Sequence, residues 1–153
     1  MEKERTLVLL KPGILQRRLA GEVLNRFERK GLKIIALKML CMDKSLVELH
    51  YAEHKDKRFY NGLVNYMTDK PIIAIVLEGE DAIELVRLIT GDKHHKSQAG
   101  SIRGDYAANG RLNIIHASDS AAIAEQEIAR FFKNEEIFSW ADPNDPWLYD
   151  RYD

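Results

Sequence analysis

The chain has 153 residues, 45% of them hydrophobic, and carries 23 Lys and Arg against 24 Asp and Glu for a formal net charge of −1. That length suits one domain with its own core, and the balanced charge excludes a global field drawing the chain to nucleic acid or an anionic membrane. No stretch nears the ~18 apolar residues of a membrane span, and Met1-Glu2-Lys3-Glu4-Arg5, followed by only a few apolar residues, is not expected to act as a secretory leader. The single cysteine, Cys41, can form no intrachain disulfide and is expected as a small buried hydrophobe, so a cytoplasmic protein is the starting expectation.

Thr6 to Leu10 is a continuous apolar run that reads as a central strand and empties at Lys11 into the Pro12-Gly13 break. From about Gln16, the spacing of Leu19, Ala20, Val23, Leu24 and Phe27 predicts a helix stopped by Gly31. Leu32 to Met42 reads as a second strand. Asp43 to His54 reads as a helix capped by Asp43 or Ser45, with Leu46, Leu49 and His50 along one side and Tyr51 near its end. After the polar corner Asp56-Lys57-Arg58, the spacing of Phe59, Leu63, Tyr66 and Met67 predicts a further short helix, and the two helices form a hairpin. Ile72 to Leu77 is a buried strand by composition, followed by a helix that Asp81 is expected to cap, running through Ile83, Leu85, Val86 and Ile89 and closed by Gly91. Arg87 and Arg103 then bracket a long polar loop containing Lys93-His94-His95-Lys96.

The stretch that organises the rest is Leu112-Asn113-Ile114-Ile115-His116-Ala117-Ser118-Asp119-Ser120. Leu112, Ile114 and Ile115 suit a buried strand. Ser118, Asp119 and Ser120 are cap residue types before a helix from Ala121 to about Phe132, so His116 is delivered to the mouth of a helix. Histidine is the side chain best suited to act as an uncharged nucleophile near neutral pH: one nitrogen attacks while the other must be oriented. Glu127 shares a helix face with Ala124 and Phe131 and can accept a proton from that second nitrogen. Taken alone, such a histidine is better read as a half-buried strand-end residue beside an ordinary exposed glutamate, and its neighbours decide. Lys11, Arg87 and Arg103 all fall at or near element ends, and their convergence would neutralise a polyphosphate, as phosphoryl transfer requires. Neither a G-x-x-x-x-G-K-[ST] loop nor a G-x-G-x-x-G fingerprint is present, so side chains must hold the phosphates.

The order of elements resembles the split βαβ unit of ferredoxin-like folds: an α+β protein whose four-stranded, mostly antiparallel sheet carries helices on one face, with a helical hairpin and a C-terminal tail added. From Arg5 to about Phe132 the sequence resembles the nucleoside diphosphate kinases. The match is strongest at Asn113-Ile114-Ile115-His116-Ala117-Ser118-Asp119-Ser120, with Lys11-Pro12, His50-Tyr51-Ala52-Glu53-His54, Gly62-Leu63-Val64 and Ile102-Arg103-Gly104-Asp105 in the right order. The resemblance implies that His116 takes the γ-phosphoryl group of a nucleoside triphosphate and passes it to a nucleoside diphosphate, with Glu127 and Ser118 holding the imidazole. It also implies that Lys11, Tyr51, Arg87, Arg103 and Asn113 contact phosphates or sugar, and that Phe59, extended by Leu63, stacks on the base. Mg²⁺ would come bound to the nucleotide phosphates, in keeping with the absence of any obvious carboxylate cluster for a dedicated metal cage. The assembly implied is a homo-oligomer, hexamer or tetramer, with no membrane or specific nucleic-acid partner.

The sequence departs from the family's pattern after Thr90-Gly91, where Lys93 stands in place of a phosphate-binding threonine and Ala99 where a proline is common. Lys93 or a neighbour is expected to supply a charged substitute, the other reading being a solvated basic loop. Gly110-Arg111-Leu112-Asn113 also differs from the usual approach to the signature. Residues 1–132 are expected to form the catalytic domain. Residues 133–153 would be a tail whose Trp140 and Trp147 dock on that domain or on a neighbouring subunit. The competing function is a catalytically weakened nucleotide sensor or interaction module on the same fold.

Overall fold

A computed structural model describes residues 2–94 and 96–149. Met1, His95 of the basic run and the last residues of the tail, 150–153, lie outside the described residues. Four strands, β1 (Glu4–Leu10), β2 (Lys33–Leu40), β3 (Ile72–Gly79) and β4 (Ile115–Ala117), form an antiparallel sheet in the order β2-β3-β1-β4. Between and after them run α1 (Ala20–Arg29), α2 (Lys44–His50), α3 (Tyr60–Asp69), α4 (Ala82–Thr90), α5 (Ile102–Tyr106), α6 (Ala121–Phe131) and α7 (Asp145–Leu148). This is the ferredoxin-like α+β arrangement expected, with α2 and α3 as the added hairpin. Among the described residues no helix is long and apolar enough to cross a membrane.

Helices cover both faces of the sheet rather than one, which is why β1 and β3 are apolar without alternation. Val8, Leu10, Ile73, Ile75 and Leu77 pack under Val23 and Phe27 of α1 and Val86 of α4. Leu7, Leu9, Ile72, Ala74 and Val76 pack on the opposite face with Val47, Val64, Met67 and Phe131 of α2, α3 and α6. His116 pairs with Leu9 in the sheet and so takes this second face, towards α2 and α6, while Ile115 and Ala117 turn to the first.

Several local expectations shift. α1 begins at Ala20 rather than near Gln16 because Arg18 takes a left-handed conformation at φ 56°. Asp43 caps α2 by accepting from Leu46 N at 2.8 Å, but α2 ends at His50 and a separate 3₁₀ turn covers Ala52–His54, leaving Val47 and His50 buried and Leu49 exposed. Asp81 precedes α4 in a left-handed conformation without capping it; Glu4 Oε2 accepts from Ile83 N instead. Arg103, expected at the end of the polar loop, lies inside α5. Cys41 is exposed, because Met42 takes the inward position just beyond β2.

Residues 138–140 of the tail lie along the free edge of β2, while α7 is tied to the start of β1 by Lys3 Nζ donating to Asp145 Oδ2. Phe138 N donates to Ile35 O at the β2 bulge, Trp140 Nε1 donates to Ile34 O, and Lys33 Nζ donates to Trp140 O. Trp147 is 80% exposed.

Candidate functional site

The strand that carries His116 is only three residues long. Leu112 is 52% exposed, and Ile114 sits at φ 62° with Ile115 N donating back to Asn113 O at 2.8 Å, the hydrogen bond of a γ-turn. A positive φ on a β-branched residue is a genuine outlier, of the kind that persists only where the surroundings enforce it. Three contacts enforce it here. Lys11 N donates to Ile114 O, while Arg103 donates through Nε to Asn113 O and through Nη2 to Ile115 O at 2.5 Å. The expected regular strand from Leu112 is thus replaced by a pinned kink that swings the Asn113 side chain to Lys11, whose Nζ donates to Asn113 Oδ1 at 2.7 Å.

Beyond the kink, Ser120 caps α6 by accepting from Ile123 N, and Ala124, Glu127 and Phe131 form its buried face. Glu127 reaches back to His116, with Nε2 2.7 Å from Oε2. Burial works to raise the Glu127 carboxyl, but the hydrogen bond and charge of His116, with help from Ser118 and His50, outweigh it and hold the group below the usual carboxylate range. An ionised carboxylate only accepts, so Nε2 carries the proton and Nδ1 keeps the lone pair. Ser118 is fully buried, and its hydroxyl bonds to the backbone of Leu7, locking the end of β4 to β1 instead of touching the ring.

A cleft of about 1090 Å³ opens in front of His116, lined among others by Arg87, Lys93, Arg103 and Asp119. Arg103 is 5% exposed and spends three donors on carbonyls, the third on Gly91 O at 2.8 Å. Burial and then Arg87 pull its guanidinium down to about 10, so it remains cationic at neutral pH. Lys11 is also buried, and burial, followed by the charges of Arg103 and Lys93, lowers its ammonium to about 7. Arg87 pairs with Asp119, and Lys93, with 70% of its side chain exposed, stands 4.0 Å from the same carboxylate. The end of the loop, residues 98–101, is folded tightly onto α5: a Cβ on Gly104 would meet Gln98 O at 2.0 Å, so only glycine fits there.

A row of rings leads from His116 to the hairpin. His50 is edge-on to His116 at 4.7 Å and to Tyr51 at 4.6 Å, Tyr51 stacks on His54 at 6.2 Å, and His54 lies 5.5 Å from Phe59 at the exposed rim. Tyr51 is buried with its hydroxyl unpartnered among the described residues, and burial and then Glu127 raise its pKa. Leu63 is half-buried against the second core. The site residues read from the sequence therefore fall into linked groups: His116 with Glu127, Lys11 with Asn113 and Arg103, Arg87 with Asp119 and Lys93, and the ring row ending at Phe59. Sequence reasoning missed the strained Ile114 and the pairing role of Asp119. It placed His50 on a helix face and in a matching segment but gave it no role. No sequence signal marks a positive φ on isoleucine, whereas the 3.6-residue spacing of Val47 and His50 marks an inward histidine.

Among the described residues the only cluster with three close metal-ligand types is His50, His116 and Glu127. Arg130 Nη1 stands 3.1 Å from His50 Nδ1 and sets a positive charge at that cluster, so it does not suit a cation. At the cleft, Asp119 is already engaged by two cations. A hard divalent ion would find its oxygens on a ligand's own phosphates and in water rather than in a protein cage.

The family model described as nucleoside diphosphate kinase matches residues 4–137. A nucleoside diphosphate kinase of Treponema pallidum is 50% identical over 94% of this chain and 97% of the relative, and one of Archaeoglobus fulgidus is 47% identical over 97% and 99%. Among solved structures, a halophilic nucleoside diphosphate kinase from Halobacterium salinarum in complex with CDP superposes with a TM-score of 0.95 at 41% identity, covering 97% of this chain and all of that one.

Proposed function

The chain belongs to the nucleoside diphosphate kinase family, and from that premise we propose that it exchanges the γ-phosphoryl group between nucleotides with His116 as the carrier. The activity is reversible transfer from a nucleoside triphosphate to a nucleoside diphosphate. The observation that carries the assignment of His116 is its 2.7 Å bond to a buried, ionised Glu127, with the ring itself lining a cleft that Arg87, Lys93 and Arg103 also line. With Nε2–H held by Glu127, the Nδ1 lone pair attacks the γ-phosphorus, an N–P bond forms as the bond to the bridging oxygen breaks, and the nucleoside diphosphate leaves. The Nε2 proton stays between ring and carboxylate, so the positive charge that develops on the imidazole is neutralised where it appears. A phosphate oxygen of the second diphosphate then attacks the same phosphorus, which returns the ring to its starting state.

Lys11, Arg87 and Arg103 neutralise the phosphates in this reading, Asn113 and Tyr51 offer polar contacts to phosphate or sugar, and Phe59 with Leu63 forms a base platform. A π-face is common to all bases, so such stacking tolerates many of them. Ser118 acts as a clamp on the strand and on Glu127. Mg²⁺, where bound, would be held by the nucleotide's own phosphates and would supply neutralising charge for the transferred group. Lys93 supplies the charge expected of a threonine substitute, supported by its reach to the Arg87–Asp119 pair. Residues 1–132 form the catalytic unit with the tail lying against it. The protein acts in the cytoplasm as a hexamer or tetramer; apolar Leu37 and Met39, exposed on the β2 edge, support a second copy as neighbour.

Brief incubation with γ-labelled ATP, isolation of the protein and addition of unlabelled GDP tests the assignment. Label that is acid-labile, alkali-stable, lost in His116→Ala and transferable to GDP is the expected result. Nucleotide binding without label would overturn it in favour of a sensor.

A further inference from the structure

The chemistry above leaves the buried imidazole of His50, beside the carrier ring, unused. His50 ends α2 with 1% of its side chain exposed, and its ring is edge-on to His116, Tyr51 and Phe131. Its Nδ1 lies 3.4 Å from Glu127 Oε2, the same oxygen that takes His116 Nε2, and 3.1 Å from Arg130 Nη1. Its Nε2 is buried without a hydrogen-bond partner among the described residues.

We propose that His50 is a positioning residue for phosphoryl transfer, a neutral imidazole wedged between the Arg130 guanidinium and the Glu127 carboxylate that keeps Oε2 committed to His116. The inference rests on His116 being the carrier. Glu127 and Arg130 are three residues apart on α6, close enough to meet directly. A guanidinium and a carboxylate form the strongest side-chain pair, often through two bonds, and such a pair would draw Glu127 away from His116. Instead the Arg130 guanidinium is directed at His50. Arginine can only donate, so His50 Nδ1 must offer its lone pair and the ring proton must sit on Nε2.

A charged His50 would forfeit that bond and crowd a second cation beside Arg130. Burial first, and then the charge of His116, opposes this and lowers the His50 imidazole to about 3, with Arg130 and Lys11 adding to the effect and Glu127 working against it. The wedge therefore passes on orientation without cancelling the carboxylate charge, which stays available to the imidazole as phosphorus arrives.

The test is a set of variants, His50→Phe and His50→Asn, each made alone and in a Glu127→Gln background. Nucleotide KM, kcat, melting temperature and the ¹⁵N shifts of His116 are read for each. Phenylalanine keeps the ring contacts and removes both nitrogens; asparagine returns a polar atom near the Nδ1 position. Expected for His50→Phe is a kcat lower by about ten-fold with KM within about two-fold, as for loss of an outer partner of a reacting ligand, and a His116 spectrum that no longer shows Nε2–H alone. His50→Asn should recover most of the rate, and in the Glu127→Gln background His50→Phe should cost less than about two-fold more. An equal loss in both backgrounds, or an unchanged kcat and His116 spectrum, would overturn the proposal. The unmodified protein decides too: ¹⁵N shifts at neutral pH showing His50 protonated on Nδ1 would sink it without any variant. If His116 takes no label from ATP, the carrier assignment itself fails; if it takes label and His50→Phe is indifferent, only the wedge fails.

Discussion

At the floor of the cleft His116 is held by Glu127, which is flanked by buried His50 and Ser118, and the strand beneath is pinned by Lys11 and Arg103. At the rim, Arg87, Asp119 and Lys93 meet with about half or more of each side chain in water. The floor gains geometric precision from burial, because a desolvated polar group has few alternative partners and each one missing is costly. The rim trades that precision for exchangeability. Its ion pairs are weak against solvent, and an incoming polyphosphate can replace a carboxylate at Arg87 and Lys93 with little loss. A carrier atom needs the first kind of environment and a substrate that must leave needs the second.

The contrast predicts that a change at the floor alters rate and a change at the rim alters affinity. The largest effect is expected from Glu127→Gln. An amide can still accept from Nε2 but cannot neutralise the ring, so kcat should fall about 10- to 100-fold with nucleotide affinity nearly intact. Single-turnover phosphorylation with a parallel binding titration measures both, and a loss confined to affinity would remove Glu127 from its role. At the rim, Lys93→Ala should raise the nucleotide KM several-fold and leave kcat within about two-fold, since an exposed cation contributes ~1 kcal/mol or less; His94→Ala should do less. Steady-state kinetics at low and moderate salt would show the Lys93 effect shrinking with ionic strength, whereas unchanged constants would return the loop to a solvated surface.

The smallest signal probes where floor and rim meet. Lys11 titrates near 7 in the free protein because burial and two cations disfavour its charge. A bound polyphosphate favours that charge and raises the pKa, so above pH 7 binding must take up protons, approaching about one per site near pH 8 and falling towards zero near pH 6. Calorimetry in buffers of different ionisation enthalpy reads this number directly. Uptake that persists in Lys11→Gln would assign it to another group.

Much of this was legible in the residues. The apolar runs at Thr6 to Leu10 and Ile72 to Leu77 required buried strands, and the spacing of Ala124, Glu127 and Phe131 required a carboxylate facing inward. These are consequences of a local period, which side-chain chemistry states within a few residues. Continuous apolarity could also have signalled two covered faces, but one face was expected, because a short apolar run does not say what lies on either side of it. The exposure of Cys41 and the failure of Asp81 to cap α4 escaped for the same reason: one turn of backbone decides each, and neighbours in space select that turn.

By itself the sequence determined that a histidine would be presented between a strand and a capped helix, and that cations would stand at the ends of other elements. Tertiary structure alone decided that Lys11, Asn113 and Arg103 close around one kink, that Ile114 bears a positive φ, and that His50 and Arg130 back the carboxylate. The physical reason is range. Periodicity and capping act over one or two turns, whereas the Lys11–Asn113 contact joins residues 102 positions apart, and burial gives such contacts force only after the sheet has brought them out of water.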